Sequence, residues 1–413
     1  MQRAPHTLLL ALVAIALACF GTGVAAASDG APGTRVGAAA PANAAPVGAQ
    51  GCKSLAARKA RAAARKAKSP RAARRAARRT RTKVQRRCQL RHRRANKRKK
   101  AKTSVLPTLV SGRLTIGVDG GYAGWSDTEI QERAALGAAV TRHEWDPAEP
   151  VDEQDDVVEV AAGTIHTRIH ALLGGNQLGD PAHYRDWVVG FVRRYGVGGS
   201  FWAEHPELDA SRFAITTIEL GNEPYFGEMS PELYADTVRP TLEAIKQLAL
   251  PVFVVLPSRV YGKDTSWMDT LYARIPDLNA LFGAFADHPY WYGHDPAEGT
   301  AAGPFARVET LRRRMNELGA NTKPIYITEY GESTASCGEE CVDEATQAAH
   351  LQQMIAAVAG RPDWGVTMLS LFQLRDRGTG SGDRELQFGM LRQDGTPKSS
   401  YGIVQGAMHQ YRG

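Results

Sequence analysis

Cysteine is scarce in this 413-residue chain, with five in all, at positions 19, 52, 88, 337 and 341. No two form a C-x-x-C pair and no histidine stands at ligand spacing beside them, which disfavours a structural zinc site. The apolar run Leu8 to Phe20 falls short of the roughly 20 residues needed to span a bilayer. No glycine-rich phosphate turn follows the first strand-like segment, which weighs against an open, doubly wound nucleotide-binding sheet. Acid is nearly missing from the first 102 residues, where Asp29 stands alone.

The N-terminal quarter is built from what remains. Arg3, the apolar run and Ala25-Ala26-Ala27 before Ser28 have the layout of a secretory signal peptide over 1–27, with an uncleaved anchor as the alternative. The expected location is therefore secreted, extracellular or associated with the cell envelope. Removal of the signal leaves four cysteines, an even count compatible with two disulfides: Cys337 with Cys341 closing a small loop, and Cys52 with Cys88 bracketing a basic stretch. Residues 28–51 are Ala, Gly and Pro with little else and read as a linker. Residues 52–102 carry 24 of the chain's 51 basic residues and no acid. Such a segment repels itself as a helix and has almost no large side chain to dock. Its expected partner is an anionic cell-envelope polymer or anionic lipid. Nucleic acid is disfavoured because no aromatic interleaves the charges, and a solvated spacer is the bland alternative.

Residues 103–413 are of a different kind. They hold 25 basic against 42 acidic residues, a net charge near −17. Their length suits one α/β barrel domain. Strand-like segments fall at Arg113–Val118, Ala138–Thr141, Ile165–Leu173, Phe213–Leu220, Val252–Leu256, Gly283–His288, Pro324–Thr328 and Val366–Phe372. Amphipathic stretches separate most of them, including Pro181–Tyr195 and Pro231–Leu248. Eight such units predict a closed (β/α)8 barrel, expected as a monomer.

In a barrel of this type, catalytic groups sit just past the C-terminal ends of strands. Two glutamates do so: Glu223 in Ile218-Glu219-Leu220-Gly221-Asn222-Glu223-Pro224, after the fourth strand, and Glu329 in Ile325-Tyr326-Ile327-Thr328-Glu329-Tyr330-Gly331, after the seventh. Strands four and seven lie across the barrel mouth from one another. Paired carboxyls facing one cleft are what glycosidic bond cleavage needs, one to protonate the leaving oxygen and one to attack or to activate water.

These two segments resemble the acid/base and nucleophile strands of clan A glycoside hydrolases, the group that holds the family 5 cellulases and mannanases and the family 39 xylosidases. Arg193 to Trp202, His288-Pro289-Tyr290, Phe388 to Leu391 and Asp394 to Lys398 are similar to segments of bacterial members. The resemblance spans about residues 113–413. It implies a retaining β-glycosidase that needs no cofactor or metal, acting on an oligo- or polysaccharide, with Glu223 as acid/base and Glu329 as nucleophile. Asn222 is then expected to bind the sugar 2-hydroxyl, Tyr290 to hydrogen-bond the nucleophile, and Arg142 to hold Glu329 ionised. On that basis Glu329 should lie below its ordinary pKa and Glu223 should retain its proton to near-neutral pH.

His288, Trp291 and Phe372 complete the expected substrate-binding set, Phe372 standing where the family usually places a tryptophan at the end of strand eight. Trp125, Trp145, Tyr225, Phe226 and Tyr292 are further candidates for stacking on sugar. Glu219 is expected to be structural, and Glu144 a salt-bridged structural acid before a third catalytic one. Two other functions stay open on the sequence: a catalytically decayed barrel that binds carbohydrate or cell wall, and a transglycosylase of envelope glycans.

Overall fold

The computed structural model describes residues 113–412 apart from 122–123, 176–177, 228 and 381. The expected signal peptide, linker, basic segment and Cys52–Cys88 pair lie outside the described residues.

Eight strands are present: β1 Thr115–Asp119, β2 Val140–Trp145, β3 Arg168–Leu173, β4 Thr217–Leu220, β5 Phe253–Pro257, β6 Ala284–Asp287, β7 Ile325–Tyr330 and β8 Val366–Leu371. Each pairs in parallel with the next, and β1 closes onto β8 through pairs such as Ile116 with Leu369. A helix follows every strand: Asp127–Leu136, Val151–Val160, Pro181–Tyr195, Pro231–Leu248, Ser266–Arg274, Pro304–Glu317, Glu344–Gly360 and Ser399–Gln410. The fold is the expected (β/α)8 barrel.

Local chemistry sets the helix starts. Ser126, Asp180, Ser230 and Asp343 each accept a hydrogen bond from a first-turn backbone N–H, satisfying donors with no partner inside the helix. Pro181, Pro231 and Pro304 sit in the first turn, where a missing N–H costs nothing.

Three expectations need correction. The second strand runs on to Trp145, because Arg142 and Glu144 face the barrel interior while His143 lies edge-on between Trp125 and Trp145, at 5.2 and 4.6 Å. Ile165 closes a π-helical turn and His166 adopts a left-handed conformation, so β3 begins only at Arg168. That turn extends the helix Val151–Val160, whose acid-rich sequence had suggested no element. Phe213 ends a short helical turn, Ala210–Phe213, started by the Asp209 side chain, and β4 starts at Thr217.

The barrel interior changes character along its axis. Val140, Phe253, Val255, Ala284, Ala286, Tyr326 and Met368 fill the half near the strand N-termini. The larger apolar core lies outside the barrel, between the strands and the helices. Toward the strand C-termini the inward positions become Arg142, His170, Glu219, Thr328 and Ser370, all buried. Polar groups this deep persist only if paired, and their pairing builds the site.

Candidate active site

Arg142 is the hub. Its Nη1 donates to Glu329 Oε1 at 2.7 Å and to Asp119 Oδ2 at 3.0 Å. Its Nε donates to Glu219 Oε2 at 2.8 Å, and its Nη2 to Asn222 Oδ1 at 2.9 Å. Three strand ends, those of β1, β4 and β7, thus converge on one guanidinium from β2. The planar fork of arginine suits this, since each N–H serves an acceptor in a fixed direction. Burial works against its charge, but Glu219, Glu329 and Asp119 outweigh that and hold it firmly protonated. Glu219 is the structural acid expected. Burial pushes its carboxyl up, and Arg142 and His170 pull it below its ordinary value.

Two backbone departures aim the glutamates. Between Ile327 and Tyr330, β7 advances three residues while β8 advances two, from Leu369 to Leu371. Strict alternation would turn one of two adjacent residues outward; a bulge of this kind lets both face in. Thr328 accordingly reaches Glu219 Oε1 at 3.1 Å while Glu329 meets Arg142. After β4, Gly221 has φ 86° and Glu223 has φ 40°, ψ 49°. A left-handed glutamate is a strained residue whose conformation the surroundings must impose, as at many functional sites. The turn swings Glu223 over the barrel mouth.

His288, just past β6, joins the two carboxyls. Its Nδ1 lies 3.0 Å from Glu223 Oε1 and 3.7 Å from Glu329 Oε2. The shorter contact is an ion pair. On the other side, Nε2 sits 2.9 Å from the Thr328 hydroxyl. That hydroxyl donates to Glu219, so it accepts from Nε2–H, and Nδ1 is left facing the carboxyls. Burial opposes the imidazolium, but Glu329 and Glu223 raise its pKa to about 9.

The pKa directions reverse the expectation. Burial pushes Glu223 up, yet the His288 charge, aided by Arg142 and Arg307, holds it below its ordinary value. Burial pushes Glu329 above its ordinary value, and Asp119 and Glu223 add to that against His288 and Arg142. These directions favour an ionised Glu223 beside a charged His288.

The remaining expected residues divide. Tyr290 donates its hydroxyl to Glu329 Oε2 at 3.0 Å and stacks on Tyr292 at 5.1 Å. Asn222 commits its Oδ1 to Arg142, leaving its amide nitrogen for the cleft. The Tyr225 hydroxyl comes within 3.5 Å of Glu223 Oε1, and Phe226 beside it is 72% exposed. Phe372 is half-buried against Phe388 at 5.3 Å. Trp291 donates to Glu298 at 3.2 Å. Trp145 is fully buried against Phe191 on the outside of the barrel and is no sugar-site candidate. Glu144 has no ion pair among the described residues, contrary to expectation, for the one cation near it, Arg142, is taken by three other carboxylates. A disulfide joins Cys337 and Cys341, whose Cα atoms are 5.5 Å apart.

Sequence reasoning had not singled out Asp119, Thr328 and His170 as members of the polar interior. Asp119 ends β1 as Glu329 lies at the end of β7, which is a signal of the kind that located Glu329. Nothing in the sequence marks the inward threonine.

No protein-family model matches the chain, and no curated protein sequence matches it. Among solved structures it is similar to a family 39 glycoside hydrolase from Bacteroides cellulosilyticus WH2, with TM-score 0.55 and 16% identity over 74% of this chain and 66% of that one. It is also similar to a glucosidase from Croceicoccus marinus, with TM-score 0.53 and 16% identity over 72% of this chain and 67% of that one. The chain spans about two thirds of the length of each. At this identity the likeness establishes a shared barrel fold.

Proposed function

We propose that this protein is a glycoside hydrolase that cleaves a β-linked glycan by double displacement, with Glu329 as nucleophile and Glu223 as acid/base. The observation that carries the reading is the shared histidine: one ring nitrogen contacts both carboxyls, whereas Arg142 and Tyr290 bind Glu329 alone. The sum of the two histidine distances bounds the separation of those carboxyl oxygens. That bound lies at the bottom of the roughly 6.5–9.5 Å of inverting enzymes, so the spacing favours retention.

The proton inventory closes. The resting site holds one proton on His288 Nδ1 beside two carboxylates. Transfer to Glu223 Oε1 leaves a neutral histidine, a protonated acid and an ionised Glu329 with no change in total charge. Glu329 then attacks the anomeric carbon while the C–O bond to the leaving group breaks, and the departing oxygen takes the proton from Glu223. Water next attacks the glycosyl ester, giving its proton to Glu223 and releasing Glu329. Arg142 and Tyr290 hold Glu329 in line and carry its charge before attack and after release.

The leader-like N-terminus supports export, and the basic segment supports attachment to an anionic envelope polymer. The test is sugar release from β-glycans and aryl β-glycosides by the full chain beside Glu223→Ala and Glu329→Ala. We expect activity in the parent and at least about a thousandfold loss in each variant. A folded parent inert on every substrate would favour the decayed, carbohydrate-binding barrel. Activity surviving in Glu329→Ala would remove it as nucleophile.

A further inference from the structure

Glu144 is the mouth carboxyl that the mechanism above leaves unused. It shares the inward parity of Val140 and Arg142 on β2, so it stands one layer above the guanidinium, at the rim of the cleft. Its backbone is fixed by a hydrogen bond from its N–H to Gly121 O at 3.0 Å. Its carboxyl is half-buried and makes no hydrogen bond or ion pair among the described residues. Asp119, Glu219 and Glu329 share the charge of Arg142, and among the described residues no other cation is paired with Glu144.

Gly175 forms part of the neighbouring wall. A Cβ on Gly175, just past β3, would stand 3.2 Å from Glu144 Oε1, and the Gly175 carbonyl accepts from the N–H of Asn222 at 2.9 Å. Glu144 therefore lies on the side of Asn222, whose amide nitrogen is not the atom held by Arg142. A sugar seated on Glu329 would meet two unsatisfied groups there, a donor from Asn222 and an acceptor pair from Glu144. A carboxylate accepts from two adjacent hydroxyls at once and repels another carboxylate.

We propose that Glu144 is a specificity-determining residue of this cleft, which accepts hydrogen bonds from hydroxyls of a neutral sugar on the nucleophile side and excludes a uronic acid. The assignment rests on the glycosidase reading. Burial pushes the Glu144 carboxyl up to about 7; Arg142 on its own strand opposes this, and Asp119 on β1, Glu329 on β7 and Glu219 on β4 reinforce it. From β3, His170 adds little positive charge, since burial lowers its pKa to about 4 despite Glu219. Exclusion of an anionic sugar should therefore sharpen as pH rises through about 7.

The experiment compares the full-chain parent, Glu144→Gln and Glu144→Ala on the 4-nitrophenyl β-glycosides of glucose, xylose, galactose and glucuronic acid, with thermal unfolding to verify the fold. For a neutral glycoside that the parent cleaves, KM should rise between about 10- and 100-fold in both variants while kcat changes far less, the loss expected for hydrogen bonds to a charged acceptor. In Glu144→Gln the preference for neutral sugar over glucuronide should narrow by about tenfold or more and lose its dependence on pH. An active parent with unchanged KM and sugar preference in the folded variants overturns the assignment and leaves the glycosidase reading standing. So does a loss confined to kcat, or a parent that prefers the glucuronide. A parent inert on all four substrates and on β-glycans overturns both.

Discussion

At the scale of single residues, Arg142 and His288 hold the site together by charge, and each makes a distinct prediction. Arg142→Met would strand Asp119, Glu219 and Glu329 in the barrel interior without a counter-charge. Breaking a buried network by removing one partner costs about 3–5 kcal/mol, so urea unfolding should show a loss of that order, and a loss below about 1 kcal/mol would mean the network is not shielded from water. For His288 the folded pKa of about 9 lies above the ordinary 6.5. Its stabilising contribution is therefore complete below the ordinary value and disappears as pH rises through about 9. Activity should follow the shared proton, with the alkaline limb of kcat/KM near pH 9 in the parent. In His288→Asn that limb should move toward lower pH by more than one unit, because Glu223 must then keep its own proton; an unmoved limb would show that the histidine does not store it.

At the scale of elements, the strand ends carry the chemistry and the loops brace it. Ser126 caps its helix reciprocally with Glu129, and Ser126→Ala should cost about 1 kcal/mol in stability without altering catalysis. The loop closed by Cys337–Cys341 presents Glu340 to Arg384 at 2.6 Å, and Arg384 lies 3.7 Å over the ring of Tyr292. Tyr292 in turn stacks on Tyr290, the donor to Glu329. Removing the disulfide by Cys337→Ser with Cys341→Ser should cost about 2 kcal/mol, the loop-closure value for so short a ring, and lower Tm by a few degrees. A reductant should lower Tm in the parent and leave the double variant unchanged. The strands flanked by apolar runs, such as Phe253–Pro257, were plain in the sequence. The end of β2 was not, because Arg142, His143 and Glu144 look like a loop until the ion pairs of Arg142 and the ring contacts of His143 are known. Val151–Val160 escaped notice because acids crowd its first turns and only Val157 and Val158 among its apolar residues are buried.

At the scale of the molecule, charge divides the chain more sharply than composition does. Twenty-four basic residues without an acid precede a domain near −17. Such a tail should bind polyanions through counterion release and direct attraction, and its hold should weaken with salt. On an immobilised anionic polymer the full chain should elute at clearly higher salt than a chain lacking residues 52–102, which should scarcely bind; equal elution would assign the tail a spacer role. The tail would then anchor the protein, while the acidic domain, repelled by the same polymer, keeps its cleft free for glycan.

The sequence by itself determined the eightfold alternation, hence the barrel, and placed Glu223 and Glu329 at the ends of β4 and β7. Both follow from short-range pattern: strand period, cap residues and the apolar runs that precede each glutamate. The tertiary structure alone decided how the facing carboxyls and imidazole shift one another, which acids are paired and which is spare. Those depend on distances between residues far apart in the chain, such as Glu223 and His288, or Arg142 and Glu329, and on burial that no local window encodes. The bulge in β7 and the left-handed turn at Glu223 belong to the same class. Each is imposed by neighbouring strands on residues that would not choose it alone, and each aims a carboxyl into the cleft.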